Sequence, residues 1–141
     1  MTRTIAAIIA LSFAAPAFAD GHGGDAEAGA KTFSKCKSCH MIVSDAGDEI
    51  VKGGRTGPNL YGIIGKTAGS ADFKYGPDLV KAGEAGLVWD EANLAEYVAD
   101  PRAFLRTYLD DSKAKSRMSY KLKKGGADVA AYLASVGGGE S

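Results

Sequence analysis

Cysteine and histidine are scarce in this chain of 141 residues, which contains two of each. The cysteines are Cys36 and Cys39, and no second pair of ligands follows at the spacing of a zinc finger or a zinc ribbon. Two cysteines and one neighbouring histidine are too few to close a structural zinc site. His22 falls in a glycine-rich stretch near the N-terminus, and we interpret it as a solvated tail residue.

The chain also lacks an excess of charge and a long apolar run. Seventeen basic residues balance seventeen acidic ones, which argues against a nucleic acid as the partner. The apolar run from Ile5 to Phe13 is too short to span a bilayer, and it lies between Arg3 and the small-residue site Ala17-Phe18-Ala19. This pattern predicts a cleaved secretory signal peptide over residues 1–19 and a single domain over residues 20–141. An uncleaved membrane anchor is the weaker alternative.

The stretch Cys36-Lys37-Ser38-Cys39-His40 concentrates the reactive side chains that are present. Two thiols at this spacing can add across the two vinyl groups of one porphyrin, and the histidine that follows can then bind the iron as the proximal ligand. A structural disulfide would close a loop too short to constrain the unfolded chain much, and it would leave His40 unexplained. A thioredoxin-type redox pair expects a preceding strand in a βαβ context, which the sequence does not show. The motif therefore predicts one haem c, attached through Cys36 and Cys39.

Capping residues and apolar spacing predict several helices separated by two long loops. Asp25, Asp90 and Asp100 are candidate N-caps, and Pro101 fits the first position of a helix. The predicted helices cover residues 25–37, 78–86, 90–99, 101–109 and 126–136, and the predicted loops cover residues 41–72 and 110–124.

The first of these loops is rich in glycine and contains a rigid turn at Arg55-Thr56-Gly57-Pro58-Asn59-Leu60. Loops of this length in a small domain are usually functional or wrapped around a ligand. The Pro58 carbonyl could accept the Nδ1 proton of His40 and fix its tautomer. An ordinary Pro-Asn turn is the simpler interpretation of the local sequence alone.

The second loop is strongly basic, and Met118 lies within it. An apolar thioether in such surroundings is expected to point inward. Met1 belongs to the predicted signal, and Met41 adjoins His40 and cannot readily reach the opposite face of the same iron. By elimination, Met118 is the candidate distal ligand.

The order of these features resembles the class I c-type cytochromes, and it is most similar to cytochrome c2 of purple photosynthetic and related alphaproteobacteria. The resemblance covers essentially all of residues 20–141 and implies an all-α class I cytochrome c fold, in which several helices and long loops enclose one covalently bound haem. The features that carry it are Cys36-x-x-Cys39-His40, Gly57-Pro58-Asn59-Leu60-Tyr61-Gly62, Phe73-Lys74-Tyr75, Trp89, Tyr97, Pro101, Met118 and the terminal amphipathic helix.

The resemblance also implies roles for individual residues around the haem. His40 and Met118 are the implied axial ligands, with Pro58 holding His40 through its carbonyl. Tyr75 and Trp89 are expected to hydrogen-bond a haem propionate, and Tyr97 is expected near the Met118 sulfur. At the crossing of the first and last helices, the residues implied to meet are Gly29, Phe33, Tyr132 and Leu133.

Arg117 departs from the family pattern, which commonly has a small residue or a lysine before the ligand methionine. A bulky side chain that is always charged is expected to point to solvent. We therefore expect Arg117 to affect docking more than ligation.

Two protein ligands on the iron predict outer-sphere electron transfer and not enzymatic catalysis. A thioether ligand and burial of the haem both predict a high reduction potential. The resemblance implies a soluble, monomeric carrier in the periplasm, serving photosynthesis or respiration between a cytochrome bc complex and a photosynthetic reaction centre or terminal oxidase. An alternative is a small haem enzyme or gas-binding protein with a labile Met118, although no distal histidine or arginine is evident to activate peroxide. A haem-free redox or metal-binding module is a third.

A lysine-rich face is the expected docking surface, since basic residues lie close in sequence to both haem-bearing segments. Such a face would steer the protein to acidic surfaces, at rates that fall with added salt. We call these residues the basic set: Lys35, Lys37, Lys113, Lys115, Arg117, Lys121, Lys123 and Lys124.

Overall fold

The computed structural model describes residues 23–137. The predicted signal peptide and His22 lie outside the described residues. Within them the chain forms five α-helices, one short 3-10 helix and two short strands. The helices are α1 (Ala26–Thr32), α2 (Pro77–Glu84), α3 (Glu91–Ala99), α4 (Pro101–Tyr108) and α5 (Gly126–Val136), and the strands are β1 (Ile42–Val43) and β2 (Glu49–Val51).

Three aspartates begin helices as the sequence predicted. The Asp25 carboxylate accepts from the backbone N–H groups of residues 27 and 28 and begins α1. Asp90 forms a reciprocal capping box with Asn93 at the start of α3. Asp100 accepts from the Ala103 N–H, so one residue ends α3 and begins α4. These caps satisfy backbone donors that a helix start leaves without partners.

The first helix ends earlier than predicted. Its α-helical part stops at Thr32, and the chain tightens into a 3-10 helix over Phe33–Lys35. The Phe33 carbonyl accepts from the N–H of Cys36 at 2.8 Å and from that of Lys37 at 3.1 Å. The N–H groups of Cys39 and His40 then both donate to the Cys36 carbonyl, at 3.1 and 3.0 Å. The motif is therefore a compact turn at the end of α1.

Residues 42–51 form a small antiparallel hairpin where the sequence predicted only a loop. Ile42 pairs with Val51 and Val43 pairs with Glu49, with an irregularity between the two pairs. The Asn59 side chain extends this hairpin by bonding the N–H and the carbonyl of Val43, at 3.0 and 2.8 Å. The hairpin is a small addition to an otherwise helical chain.

The crossing of α1 and α5 joins the two ends of the described chain. Gly29 lies directly against the α5 backbone, since a Cβ there would be 1.9 Å from the Asp128 carbonyl oxygen. The Phe33 and Tyr132 rings pack with their centroids 5.7 Å apart. The Asp25 N–H donates to the Asp128 carboxylate at 2.8 Å. Gly29 and Phe33 thus meet α5 as the family resemblance implied.

The buried core lies between this crossing, α3 and α4, and includes Phe33, Ile42, Leu94, Leu105 and Leu133. Among residues 23–137, none of the helices has the length and apolar character needed to span a membrane. The motif turn directly follows α1, and the loop that contains Met118 follows α4. Both candidate ligand segments are therefore anchored to the same core.

Candidate functional site

A glycine-rich segment, residues 53–57, lies directly on the backbone of the motif turn. The Gly54 N–H donates to the Lys37 carbonyl at 2.9 Å, and the Gly57 N–H donates to the Cys39 carbonyl at 2.8 Å. A Cβ on Gly53 would lie 1.8 Å from the His40 carbonyl oxygen, so the close approach requires glycine there. The sequence shows that this loop is rich in glycine but does not reveal this role. The spacing Gly-Gly-x-x-Gly shortly after the motif was the available signal.

His40 is held in one orientation by Gly57 and Pro58. Its Nδ1 lies 2.9 Å from the Pro58 carbonyl oxygen, so a proton on Nδ1 is donated to that carbonyl. A Cβ on Gly57 would lie 2.4 Å from His40 Cε1, which shows that the backbone packs against the ring. Burial lowers the pKa of His40, and the bond to Pro58 offsets part of that change. A neutral ring with its Nε2 lone pair free is the form that binds a metal.

The two thiols of the motif have different surroundings. Cys36 is half-buried against the core, and its pKa is raised by that burial first and by the nearby Cys39 second. Cys39 is exposed, and hydrogen bonds from Thr56 and then Ser38 lower its pKa. Both thiols are free. The turn therefore presents one thiol toward the apolar interior and one at the surface.

Met118 is partly buried and packs against the hydrophobic core. Its backbone is held by the Ser116 hydroxyl, which accepts from the Met118 N–H at 3.1 Å and donates to the Met118 carbonyl at 3.0 Å. This role of Ser116 was not predicted from the sequence. The signal was a serine two positions before the candidate ligand, since serine side chains commonly bond nearby backbone groups.

The predicted aromatic residues lie beside the Met118 loop. Trp89 is 4% exposed and Tyr97 is 7% exposed, and their ring centroids are 4.9 Å apart. The Tyr97 hydroxyl lies near the Ser116 side chain. Burial raises the pKa of Tyr97, the nearby Tyr75 adds to the rise, and the bond with Ser116 opposes it. Tyr75, Tyr97 and the Met118 loop are thus brought together, while bonds from Tyr75 and Trp89 to a propionate stay predictions.

Arg117 is exposed, as expected, but it is not free. Its Nη1 donates to the Lys74 carbonyl at 3.0 Å. Its stem runs across Gly76, where a Cβ would lie 3.2 Å from Arg117 Cγ. The side chain therefore ties the Met118 loop to a neighbouring segment, a contact that the sequence did not suggest.

All members of the basic set are exposed. Lys121 is paired with Asp100, with 2.6 Å between Nζ and Oδ2. Asp100 is partly exposed, and its pKa is lowered mainly by the hydrogen bond from Lys121 and then by the Ala103 N–H. Lys121 and Arg117 thus have partners within the chain.

These side chains fit a haem c. The turn offers two free thiols and an imidazole whose Nδ1 is already engaged, and a half-buried thioether lies in a separate loop on the same core. Thioether links, an imidazole and a methionine are the donors by which a c-type cytochrome holds its haem. In the range 23–137, no group of three or more His, Cys, Asp and Glu side chains is placed to hold a metal ion.

Comparison with known proteins gives whole-chain similarities. No family model matches the chain. Cytochrome c-551 of Roseobacter denitrificans is 71% identical over 142 aligned positions, covering 100% of both chains. Cytochrome c2 of Rhodobacter capsulatus is 57% identical over 137 positions, covering 96% of this chain and 97% of the relative. A solved structure of cytochrome c2 from Rhodobacter capsulatus matches with a TM-score of 0.79 at 58% identity, over 80% of this chain and 98% of that one.

Proposed function

Because this chain belongs to the class I c-type cytochromes and carries one covalently attached haem c, we propose that it is a high-potential electron carrier of the periplasm. The predicted signal peptide over residues 1–19 supports this location, and the mature domain would begin at Asp20. We propose electron transfer and not enzymatic catalysis, with one domain that acts as a monomer.

The observation that carries this proposal is the 2.9 Å contact between His40 Nδ1 and the Pro58 carbonyl oxygen. It fixes the ring and leaves Nε2 free, which supports His40 as the proximal ligand. Cys36 and Cys39 would hold the porphyrin on the turn, and Met118 would fill the opposite axial position. When bound, the haem supplies a one-electron Fe(II)/Fe(III) couple. If His40 and Met118 both bind the iron, no position would be left for a substrate.

The environment of Met118 supports a high potential. A thioether is a soft ligand that favours the ferrous state, and burial disfavours the extra charge of the ferric state. The Ser116 hydroxyl bonds both the N–H and the carbonyl of Met118. This restraint favours a persistent ligand over a labile one.

The experiment compares Met118→Leu with Met41→Leu, which removes the other methionine of the described range. We expect wild type and Met41→Leu to show the red absorption band of methionine bound to ferric haem and a positive midpoint potential. Met118→Leu should lose the band and shift the midpoint markedly downward. A band that survives in Met118→Leu, or a markedly negative wild-type midpoint, would contradict the assignment.

For partners, we propose a cytochrome bc complex as the electron donor and a photosynthetic reaction centre or terminal oxidase as the acceptor. The exposed basic set supports docking to acidic surfaces of such complexes. Reduction of the purified protein by a bc complex, and its oxidation by membranes that contain each acceptor, would test the two steps separately. Failure of both steps would contradict the carrier role.

A further inference from the structure

Two hydrogen bonds fasten the Met118 loop to residues 74–78. The Arg117 Nη1 donates to the Lys74 carbonyl at 3.0 Å. The Lys115 N–H donates to the Asp78 carboxylate at 2.7 Å. We call these two bonds the clasp.

The two bonds of the clasp are made by the residues on either side of Ser116. Lys115 and Arg117 flank Ser116, whose hydroxyl bonds both backbone polar groups of Met118. On the other side, Asp78 lies in the first turn of α2, which gives the clasp an anchor on a regular element. Opening the clasp would therefore release the stretch that carries Met118 before the rest of the domain unfolds.

Arg117 is suited to this contact in two ways. Its charged group donates to a carbonyl, and hydrogen bonds with an ionised partner are stronger than neutral ones. Its stem also covers the backbone at Gly76, so part of the contact is packing that salt does not screen. A freely solvated arginine would supply neither effect.

We propose that Arg117 is a positioning residue for Met118, which closes the clasp and limits how often the methionine leaves the iron. This rests on the proposed role of Met118 as the distal ligand. The contact is distinct from any part that Arg117 plays in docking, because it acts within the isolated molecule.

The test is the rate at which imidazole replaces methionine in the ferric holoprotein, measured at saturating imidazole, where opening of the loop limits the rate. Arg117→Gln removes the charged donor, and Arg102→Gln is the matched control on the exposed face of α4. We expect the limiting rate to rise roughly tenfold or more in Arg117→Gln, as loss of one charge-assisted hydrogen bond implies. Arg117→Lys should fall between that variant and wild type, and Arg102→Gln should match wild type.

Hydrogen exchange followed by mass spectrometry separates positioning from general destabilisation. In Arg117→Gln we expect faster exchange within residues 110–124 and 74–78, with α1 and α5 unchanged. Equal imidazole rates in Arg117→Gln and Arg102→Gln would overturn the proposal, as would faster exchange throughout the chain. Absence of the ferric methionine band in wild type would instead overturn the ligand assignment itself.

Discussion

His40 takes its chemical character from two consecutive residues of a distant loop. Pro58 supplies a carbonyl at 2.9 Å from Nδ1, and Gly57 supplies the space beside the ring. Neither contact comes from the helix that presents the motif. The reactivity of the histidine is therefore set by how closely residues 53–57 lie on the motif turn.

Adding one methyl group at Gly57 should disturb this arrangement. A Cβ there would lie 2.4 Å from His40 Cε1, so Gly57→Ala must displace the ring or the loop. We expect a loss of about 1–3 kcal/mol in the free energy of unfolding, as is typical of overpacking. Denaturant unfolding of the holoprotein measures it. Gly23→Ala is the control, because a Cβ at that exposed position meets nothing within 4 Å, and an equal loss in both variants would contradict the argument.

Tyr97 should give the protein an alkaline sensitivity. Burial raises the pKa of its hydroxyl, so above its ordinary value of 10.0 the unfolded chain releases the proton while the folded chain retains it. This contribution to stability is complete below pH 10 and is lost as the pH rises through the folded pKa. Tyr97→Phe should show a shallower decline in urea midpoint between pH 9.5 and about pH 11. Parallel declines in the two proteins would count against the argument.

The crossing of α1 and α5 is governed by helix approach and not by helix propensity. Gly29 permits the contact because a Cβ would reach the α5 backbone, at 1.9 Å from the Asp128 carbonyl oxygen. Backbone atoms cannot move aside as the end of a flexible side chain can. The pairing of Phe33 with Tyr132 then fills the adjacent space.

Two opposite substitutions on α1 test this point. By propensity alone, Gly29→Ala should stabilise the helix by about 1 kcal/mol and Ala30→Gly should destabilise it by the same amount. We expect both to destabilise the protein, with the larger loss, about 1–3 kcal/mol or more, for Gly29→Ala because the helices must separate. Thermal or denaturant unfolding measures both. A stabilising Gly29→Ala would show that the crossing tolerates a wider separation.

Local signals predicted the helices, whereas contacts between distant segments were mostly beyond the sequence. Asp90 and Asp100-Pro101 mark helix boundaries through bonds made within four residues, so their effect is readable along the chain. The hairpin at 42–51 is too short to show alternation, and Asn59 completes it from outside. The packing of Gly53 against the His40 backbone and the bond from Arg117 to Lys74 join segments that are distant in sequence. Such contacts depend on how separate loops pack together, which local sequence does not show.

The candidate site likewise contains residues that could be predicted from the sequence and residues that could not. The reactive residues of the motif and Met118 were predicted as haem-binding residues from their chemistry and scarcity, because few other side chains of the chain can bind a haem. Ser116 was missed because a serine in a polar loop has many uses, and only the fold places its hydroxyl on both polar groups of Met118.

At the scale of the whole molecule, charge is balanced in number but uneven in sequence. The chain has seventeen basic and seventeen acidic residues, yet the loop over 110–124 carries six basic residues, all of them exposed: Lys113, Lys115, Arg117, Lys121, Lys123 and Lys124. A local field of one sign can steer an encounter even when the net charge is zero.

Electron transfer with an acidic partner should therefore slow as salt is added. We expect the second-order rate with a purified bc complex to fall by roughly tenfold or more between low and physiological ionic strength. The double variant Lys113→Gln and Lys124→Gln should be slower at low salt and less sensitive to it. Lys81→Gln, an exposed lysine of α2 outside the basic set, is the control. Rates that do not respond to ionic strength would argue against electrostatic docking.

The bond from the Asp25 N–H to the Asp128 carboxylate joins residues 103 positions apart. This separation means that the two partners of the bond are synthesised at different times. A chain synthesised or exported from its N-terminus presents α1 and the motif turn long before α5 exists. Until α5 has been synthesised, the face of α1 at Gly29 and Phe33 has no α5 to pack against, and closing so long a loop has an entropic cost. We expect the thiols of Cys36 and Cys39 to be most accessible to a bulky cofactor before this contact closes.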